Sequence, residues 1–231
     1  MIGIIGAMEE EVADLKKMMI VHDTVEQASM TFFRGMLCER EVVIVQSGIG
    51  KVNAAICAQI LIDKFGVDTL INTGVAGSLN AEINIGDMVI SSDAVHHDMD
   101  TSVFGDPVGQ VPRMDTFAFP ADEALVELTR VVNEEVNPDI GTFVGRVVSG
   151  DQFISSQEKK EQLVRLFGGY CAEMEGAAIA HTAYVNDVSY VIIRAISDKA
   201  DNSSHMDYPE FARRAIDHSM RLLVSLIPRI S

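Results

Sequence analysis

Residues 1–12 read MIGIIGAMEEEV. A β-branched apolar run passes, within two residues of Gly6, into three consecutive glutamates, Glu9, Glu10 and Glu11. The run has the near-continuous apolar character of a strand covered on both faces, and the residues after it have helical spacing. The same change recurs down the chain. Strands are expected at 2–8, 41–47, 69–73, 87–92, 141–149 and 189–196, and helices at 9–20, 51–65, 121–135, 157–166, 175–186 and 209–227. Strand alternating with helix predicts an α/β fold with a mostly parallel or mixed sheet. With no internal repeat and no Pro/Ser-rich linker, the 231 residues are expected to form a single domain, 1–231.

Composition narrows the function. At 48% hydrophobic residues the chain is not a disordered one, and no apolar stretch has the length and purity of a membrane span. The first residues lack the basic flank and small-residue cleavage site of a secretion signal. Three scattered cysteines, Cys38, Cys57 and Cys171, fit a reducing compartment, so a cytoplasmic location is expected. A net charge of −16 without any basic run argues against nucleic acid and for a small ligand.

In α/β folds ligands gather at the carboxyl ends of strands. The segments there are rich in glycine, serine and acid: GAMEEE, SGIGKVN, NTGVAGSL, SGDQFI and AISDKAD. At about 100° per residue, Val12, Leu15, Met18 and Met19 share one arc of the first helix. Glu9 and Glu10 fall on the wet side, where they complement the helix N-terminus. Glu11 falls inside the apolar arc. It is either one more helix-start charge or a general acid or base, since burial raises a carboxyl's proton affinity.

Two further groups carry chemistry. In YCAEMEGAAIAH, Glu173 and Glu175 point to one side if 172–175 is extended, and such carboxylates suit a vicinal diol or simply an acidic helix start. In SYVIIRAISDKADN, Arg194 lies within a strand that otherwise reads as buried and needs a partner, for which Glu173 is the candidate. Asp198 comes where that strand runs out, the place of a catalytic acid or of a turn cap. SGIGKVN and NTGVAGSL could cradle phosphate, yet neither is a Walker or Rossmann fingerprint. His96, His97 and Asp98 are adjacent on a strand and point to opposite faces, so no metal site is expected.

Taken in order, GIIGAMEEEV, SGIGKVNAA, INTGVAGSL, NIGDMVIS, HHDMD, SGDQFI, AEMEGAAIAH and RAISDKAD resemble the 5′-methylthioadenosine/S-adenosylhomocysteine nucleosidases of the purine nucleoside phosphorylase-like superfamily. The resemblance implies a three-layer α/β domain with a central twisted mixed sheet flanked by helices, working as a cytoplasmic homodimer without cofactor or metal. It implies hydrolysis of the N-glycosidic bond of 5′-methylthioadenosine and S-adenosylhomocysteine, and of 5′-deoxyadenosine, in methionine salvage and S-adenosylhomocysteine removal. The products are adenine and a 5-thioribose or 5-deoxyribose. Residue by residue, it makes Glu11 the base that activates water and Asp198 the acid at adenine N7, oriented by Ser197. Glu175 would bind the ribose hydroxyls, Met174 pack on the sugar, and Glu173 and Arg194 line the water side. Phe153 would stack on adenine and the backbone of Ile154 read its edge. Met8, Ile49 and Tyr208 would form the 5′-thio pocket, with Val75 and Gly77 also among the substrate-binding residues. Phe104 and Pro112 would close the pocket from a neighbouring subunit. Val75 stands where some members carry Ser near the water, so water positioning would rest on Glu11, Glu173 and Arg194. Tyr208, where some relatives have Phe, adds a hydroxyl at the rim.

Rival expectations are a phosphate-dependent nucleoside phosphorylase, an aminodeoxyfutalosine-type nucleosidase, and a non-catalytic nucleoside-binding protein. A phosphate dianion would be repelled by the acids after the first strand, and binding alone does not require both Glu11 and Asp198.

Overall fold

A computed structural model describes residues 1–198 and 208–230; the side chains at 208–212, 214 and 215 lie outside that description. The chain begins with β1 (Ile2–Gly6) and α1 (Glu9–Met18), then three strands, β2 (Ile20–Gln27), β3 (Met30–Leu37) and β4 (Arg40–Gln46). Helix α2 (Lys51–Phe65) leads into β5 (Thr69–Ser78) and β6 (Met88–His96). A long connection with a short helical turn at Ser102–Phe104 comes next, then β7 (Phe119–Pro120), α3 (Glu123–Val136) and β8 (Thr142–Ser149). The last part is α4 (Gln157–Phe167), β9 (Cys171–Glu173), α5 (Gly176–Val185), β10 (Ser189–Asp198) and α6 (Tyr208–Leu226).

One mixed sheet runs in the order β10-β6-β8-β9-β5-β1-β4-β3-β2, with β7 on β6. Pairing of β5 with β10 closes the first five of these strands into a ring. The strands are apolar on both faces because helices cover both. Along β10, Val191, Ile193 and Ala195 pack with α1, α3 and α6, whereas Tyr190, Ile192 and Ile196 pack with α2 and α5. A smaller cluster under α4 joins Leu163 and Phe167 to Val95 and Val148. The expected three-layer α/β architecture is present. No described helix is long and apolar enough to cross a membrane.

Several boundaries differ from expectation. The hairpins β2–β3 and β3–β4 lack an Asn-Gly signal, because Ala28, Ser29, Cys38 and Glu39 themselves take positive φ (51°, 60°, 48° and 64°). Strand β2 is exposed along almost its whole length, so it has no buried face to leave a period-two pattern. Strand β5 continues through NTGVAGS to Ser78 because β10 and then β9 keep it paired, where glycine suggested a turn. Met18, expected inward, is 52% exposed. Helix α1 stops there and Met19 turns into the core instead.

Candidate active site

One edge of β5 changes partner partway along. β1 pairs with Thr69–Asn72, β9 pairs with Gly77 and Ser78, and residues 73–76 between them face neither strand. The N-termini of α1 and α5 bring their carboxylates to this opening, and β10 runs unbroken along the opposite edge.

Glu11 enters from α1. Its Oε2 accepts the N–H groups of Ala7 (2.8 Å) and Met8 (3.0 Å), and its Oε1 accepts the N–H of Val75 (3.2 Å). The group is 6% exposed. Burial pushes its proton affinity above the ordinary glutamate value, against the lowering pull of Arg194 and the three N–H groups. Glu9 and Glu10 stay in solvent, Glu9 paired to Lys16, as the helical arc requires. Gly74 is fixed by this arrangement: a Cβ there would stand 2.2 Å from Arg194 Nη1 and 2.6 Å from Glu11 Oε1.

Arg194 is 1% exposed and points from β10 into the opening. It pairs with Glu173, donates to Asn72 Oδ1 and Val75 O, and lies 3.6 Å from Glu175 Oε2. Asn72 in turn donates to Ile5 O at 3.0 Å, locking β1 to the same cluster. Glu173 receives Ser149 Oγ, Arg194, and the N–H groups of Glu175 (3.0 Å) and Gly176 (2.8 Å). Both its oxygens are engaged, and with Ser149 Oγ, which accepts Ala177 N–H at 2.7 Å, it caps α5, whose own N-cap residue Glu175 does not. The extended backbone expected through Glu175 ends at Glu173; Glu175 is the helix N-cap at φ −131°, ψ −40°. Its carboxylate nevertheless reaches the same cluster and accepts Gly50 N–H at 2.9 Å. Burial, and then the neighbouring Glu173 charge, push Glu175 up to about 7.

Asp198 stands at the end of β10, opposite Gly77 across a register shift. Its two oxygens lie 3.0 Å from where a Gly77 Cβ would be. Ser197 Oγ approaches Oδ1 at 3.4 Å, and Lys160 Nζ from α4 reaches Oδ2 at 3.2 Å. Beyond these strands, Lys51 pairs with Asp98 of the HHDMD segment, Asp98 accepts Asp151 N–H, and Asp151 accepts Lys51 N–H, tying three surrounding loops together.

A single cavity gathers most of the expected site. Glu11, Glu173, Met174, Glu175, Arg194, Ser197, Asp198, Met8, Ile49, Val75, Gly77 and Phe153 line it, with Ala7, Ala76 and Ala172 in addition. The aromatic face of Phe153 (75% exposed) and Ile49 form the open rim. Ile154 does not line the cavity; its side chain packs on the cluster under α4. Phe104 (85% exposed) and Pro112 do not line it either. The Tyr208 side chain falls outside the described residues. Three contributors were not expected from the sequence: Asn72 and Ser149 hold the charged cluster and Lys160 holds Asp198. Lys160 shares the buried stripe of α4 with Leu163 and Phe167, three and seven residues on, a spacing visible in the sequence.

The arrangement offers a buried carboxyl of raised proton affinity from α1, a second carboxyl at the end of β10, the Glu175 carboxylate, and apolar walls. Comparison with known proteins agrees with that chemistry. The family model described as the phosphorylase superfamily matches residues 1–228. A 5′-methylthioadenosine/S-adenosylhomocysteine nucleosidase of Staphylococcus aureus (strain JH9) is 43% identical over 232 residues, covering 100% of both chains. The solved nucleosidase of Colwellia psychrerythraea in complex with adenine superposes with a TM-score of 0.92 at 38% identity, over 99% of this chain and 94% of that one. The Neisseria meningitidis nucleosidase in complex with methylthio-immucillin-A gives 0.93 at 35% identity, over 99% of each.

Proposed function

Because the chain belongs to the phosphorylase superfamily and, within it, to the 5′-methylthioadenosine/S-adenosylhomocysteine nucleosidases, we propose that Glu11 and Asp198 are the base and acid of its reaction. The enzyme is an N-glycosyl hydrolase, releasing adenine and the corresponding thioribose from these two nucleosides.

Support for water as nucleophile comes from where the backbone donors go. A phosphate would need the free N–H groups of the glycine-rich turns. Here Val75 N–H is given to Glu11, Gly50 N–H to Glu175 and Lys51 N–H to Asp151. Arg194, the cation of the cavity lining, is held by Glu173 and Asn72. A dianion entering this site would meet three buried carboxylates beside donors already committed to them.

In the proposed reaction, adenine leaves through an oxocarbenium-like transition state. Asp198 gives its proton to N7 as the N9–C1′ bond breaks and the bonding pair moves onto the base. Glu11 takes a proton from water as its oxygen bonds C1′. Glu175, held by Gly50, receives the ribose hydroxyls, Met174 packs on the sugar, and Phe153 stacks on the adenine. Glu173 acts by fixing Arg194 and the start of α5. Val75 contributes its N–H, which aims Glu11; its side chain is wall. Met8 and Ile49 take the 5′-thio substituent.

The test is adenine release from 5′-methylthioadenosine in phosphate-free buffer, alongside S-adenosylhomocysteine, 5′-deoxyadenosine and aminodeoxyfutalosine. Release independent of phosphate is expected. Strict phosphate dependence would make the enzyme a phosphorylase, and turnover of aminodeoxyfutalosine alone would move the substrate.

The same reading makes the chain one working domain, with β1 and β10 both paired to β5, and places it in the cytoplasm, consistent with three free cysteines. It also makes the protein a homodimer. Phe104 and Pro112 would then cover the partner's 5′-thio pocket, which accounts for an aromatic ring held 85% exposed on the connection after β6. Apolar side chains on α2 and α5, among them Val52 (69% exposed) and Val185 (57%), suit burial between copies. Mixing inactive Phe104→Ala with inactive Asp198→Asn should recover part of the wild-type activity through mixed dimers. Mixed dimers without recovery would refute the shared pocket.

A further inference from the structure

We propose that Lys160 is a positioning residue for Asp198, holding its carboxylate and meeting the negative charge Asp198 acquires on giving up its proton. The inference rests on Asp198 being the acid.

Helix α4 buries three side chains, Lys160, Leu163 and Phe167, on one stripe. Two of them join an apolar cluster with Leu79, Val95 and Val148. An ammonium in that stripe is costly unless it is paired. Lys159, next in the chain, sits at the half-exposed edge of the same turn, so the helix had a cheaper place for a lysine. The Lys160 side chain is 5% exposed and its Nζ lies 3.2 Å from Asp198 Oδ2. Asp198 lines the cavity and Lys160 does not, so the lysine acts from behind the acid.

The geometry has a chemical consequence. When Asp198 hands its proton to N7, the O–H bond breaks, the N7–H bond forms, and a carboxylate appears on a side chain that is 24% exposed. The Lys160 ammonium, 5% exposed and 3.2 Å away, offsets that charge from behind the acid. A preorganised donor of this kind is worth most in the transition state, where the charge it answers develops. Helix α4 also continues directly from the SGDQFIS loop, through a Ser156 cap that accepts Lys159 N–H. The element that fixes the acid thus extends from the loop that carries Phe153.

The experiment uses the full-length protein and 5′-methylthioadenosine. Lys160→Met should lower kcat by about 10–100-fold, a part of what general acid catalysis supplies, while KM changes less than about threefold. Lys160→Arg should recover most of the loss. Wild-type kcat in Lys160→Met, or a loss confined to KM with no rescue by Arg, would overturn the proposal. If circular dichroism shows that Lys160→Met does not fold, Lys160→Gln, a neutral donor, decides: it should be as slow as expected for Met, and wild-type kcat would be fatal. Failure of the underlying assignment looks different, because Asp198→Asn would then itself remain active.

Discussion

Glu11→Gln is expected to lower kcat by about 10²–10⁴-fold, the usual worth of a general base, with the protein still folded and still binding a substrate analogue. The substitution keeps the side chain's shape but leaves one acceptor for three N–H groups, those of Ala7, Met8 and Val75. That costs about 1 kcal/mol. Against it stands a gain, since Glu11 is a carboxyl whose proton affinity is raised by burial. A group raised in the folded state contributes stability that is full below its unfolded value and is lost as pH rises through its folded value. Wild-type Glu11 therefore weakens the fold at neutral and alkaline pH, and Glu11→Gln should compare best with wild type at pH 8 and worst at pH 4. The same shift sets the activity profile. The base must be ionised, so the acid limb of kcat/KM should lie above 4.5, the ordinary glutamate value. Near-normal kcat in the variant would remove Glu11 from the role of base, and an acid limb at the ordinary value would mean that burial does not raise its proton affinity.

The second large effect is on stability. Arg194→Met should cost about 3–5 kcal/mol near pH 8, the usual result of removing one partner from a buried ionic cluster. Methionine fills much of the volume but leaves Glu173, Glu175 and Glu11 facing one another without the guanidinium that lowers the proton affinity of Glu11 and Glu175. Those carboxyls can then shed charge only by taking up protons. Denaturant titrations should accordingly show a markedly smaller loss at pH 5 than at pH 8. A loss under about 1 kcal/mol at pH 8 would mean that Arg194 is held for catalysis alone.

Features set by local physics were legible in the sequence. Glu11 stood out because a carboxylate on a core-facing helical arc is costly, and Arg194 because a charge inside a buried strand is costlier. Both line the cavity. The same reasoning applied to KKEQLVRLF would have picked out Lys160, whose spacing to Leu163 and Phe167 is as plain as that of Glu11 to Leu15. The hairpins were hidden for a different reason. Ala28, Ser29, Cys38 and Glu39 make turns that glycine or asparagine would have advertised, and β2 has no inward face. The continuation of β5 through NTGVAGS depends on β9 and β10, which lie about a hundred residues away along the chain and leave no local trace. Glu173 was expected to line the water side with Arg194. Its engagement by Ser149, Arg194 and the start of α5 arises from distant pairings too.

The closure of β5, β10, β6, β8 and β9 into a ring bears on how this enzyme can diversify. Asp198, Arg194, Glu173 and Ser149 all hang from that ring, and Glu11 is tied to it through Val75 N–H. Moving any one of them means disturbing a circuit of backbone hydrogen bonds in which every strand is paired with two neighbours. Ile49 and Phe153 belong to connections outside the ring and stand half to three-quarters open. Selection for a bulkier 5′ group should thus find answers quickly, in libraries randomised at the rim. Selection for a different nucleophile should stall, because its variants lie on the ring.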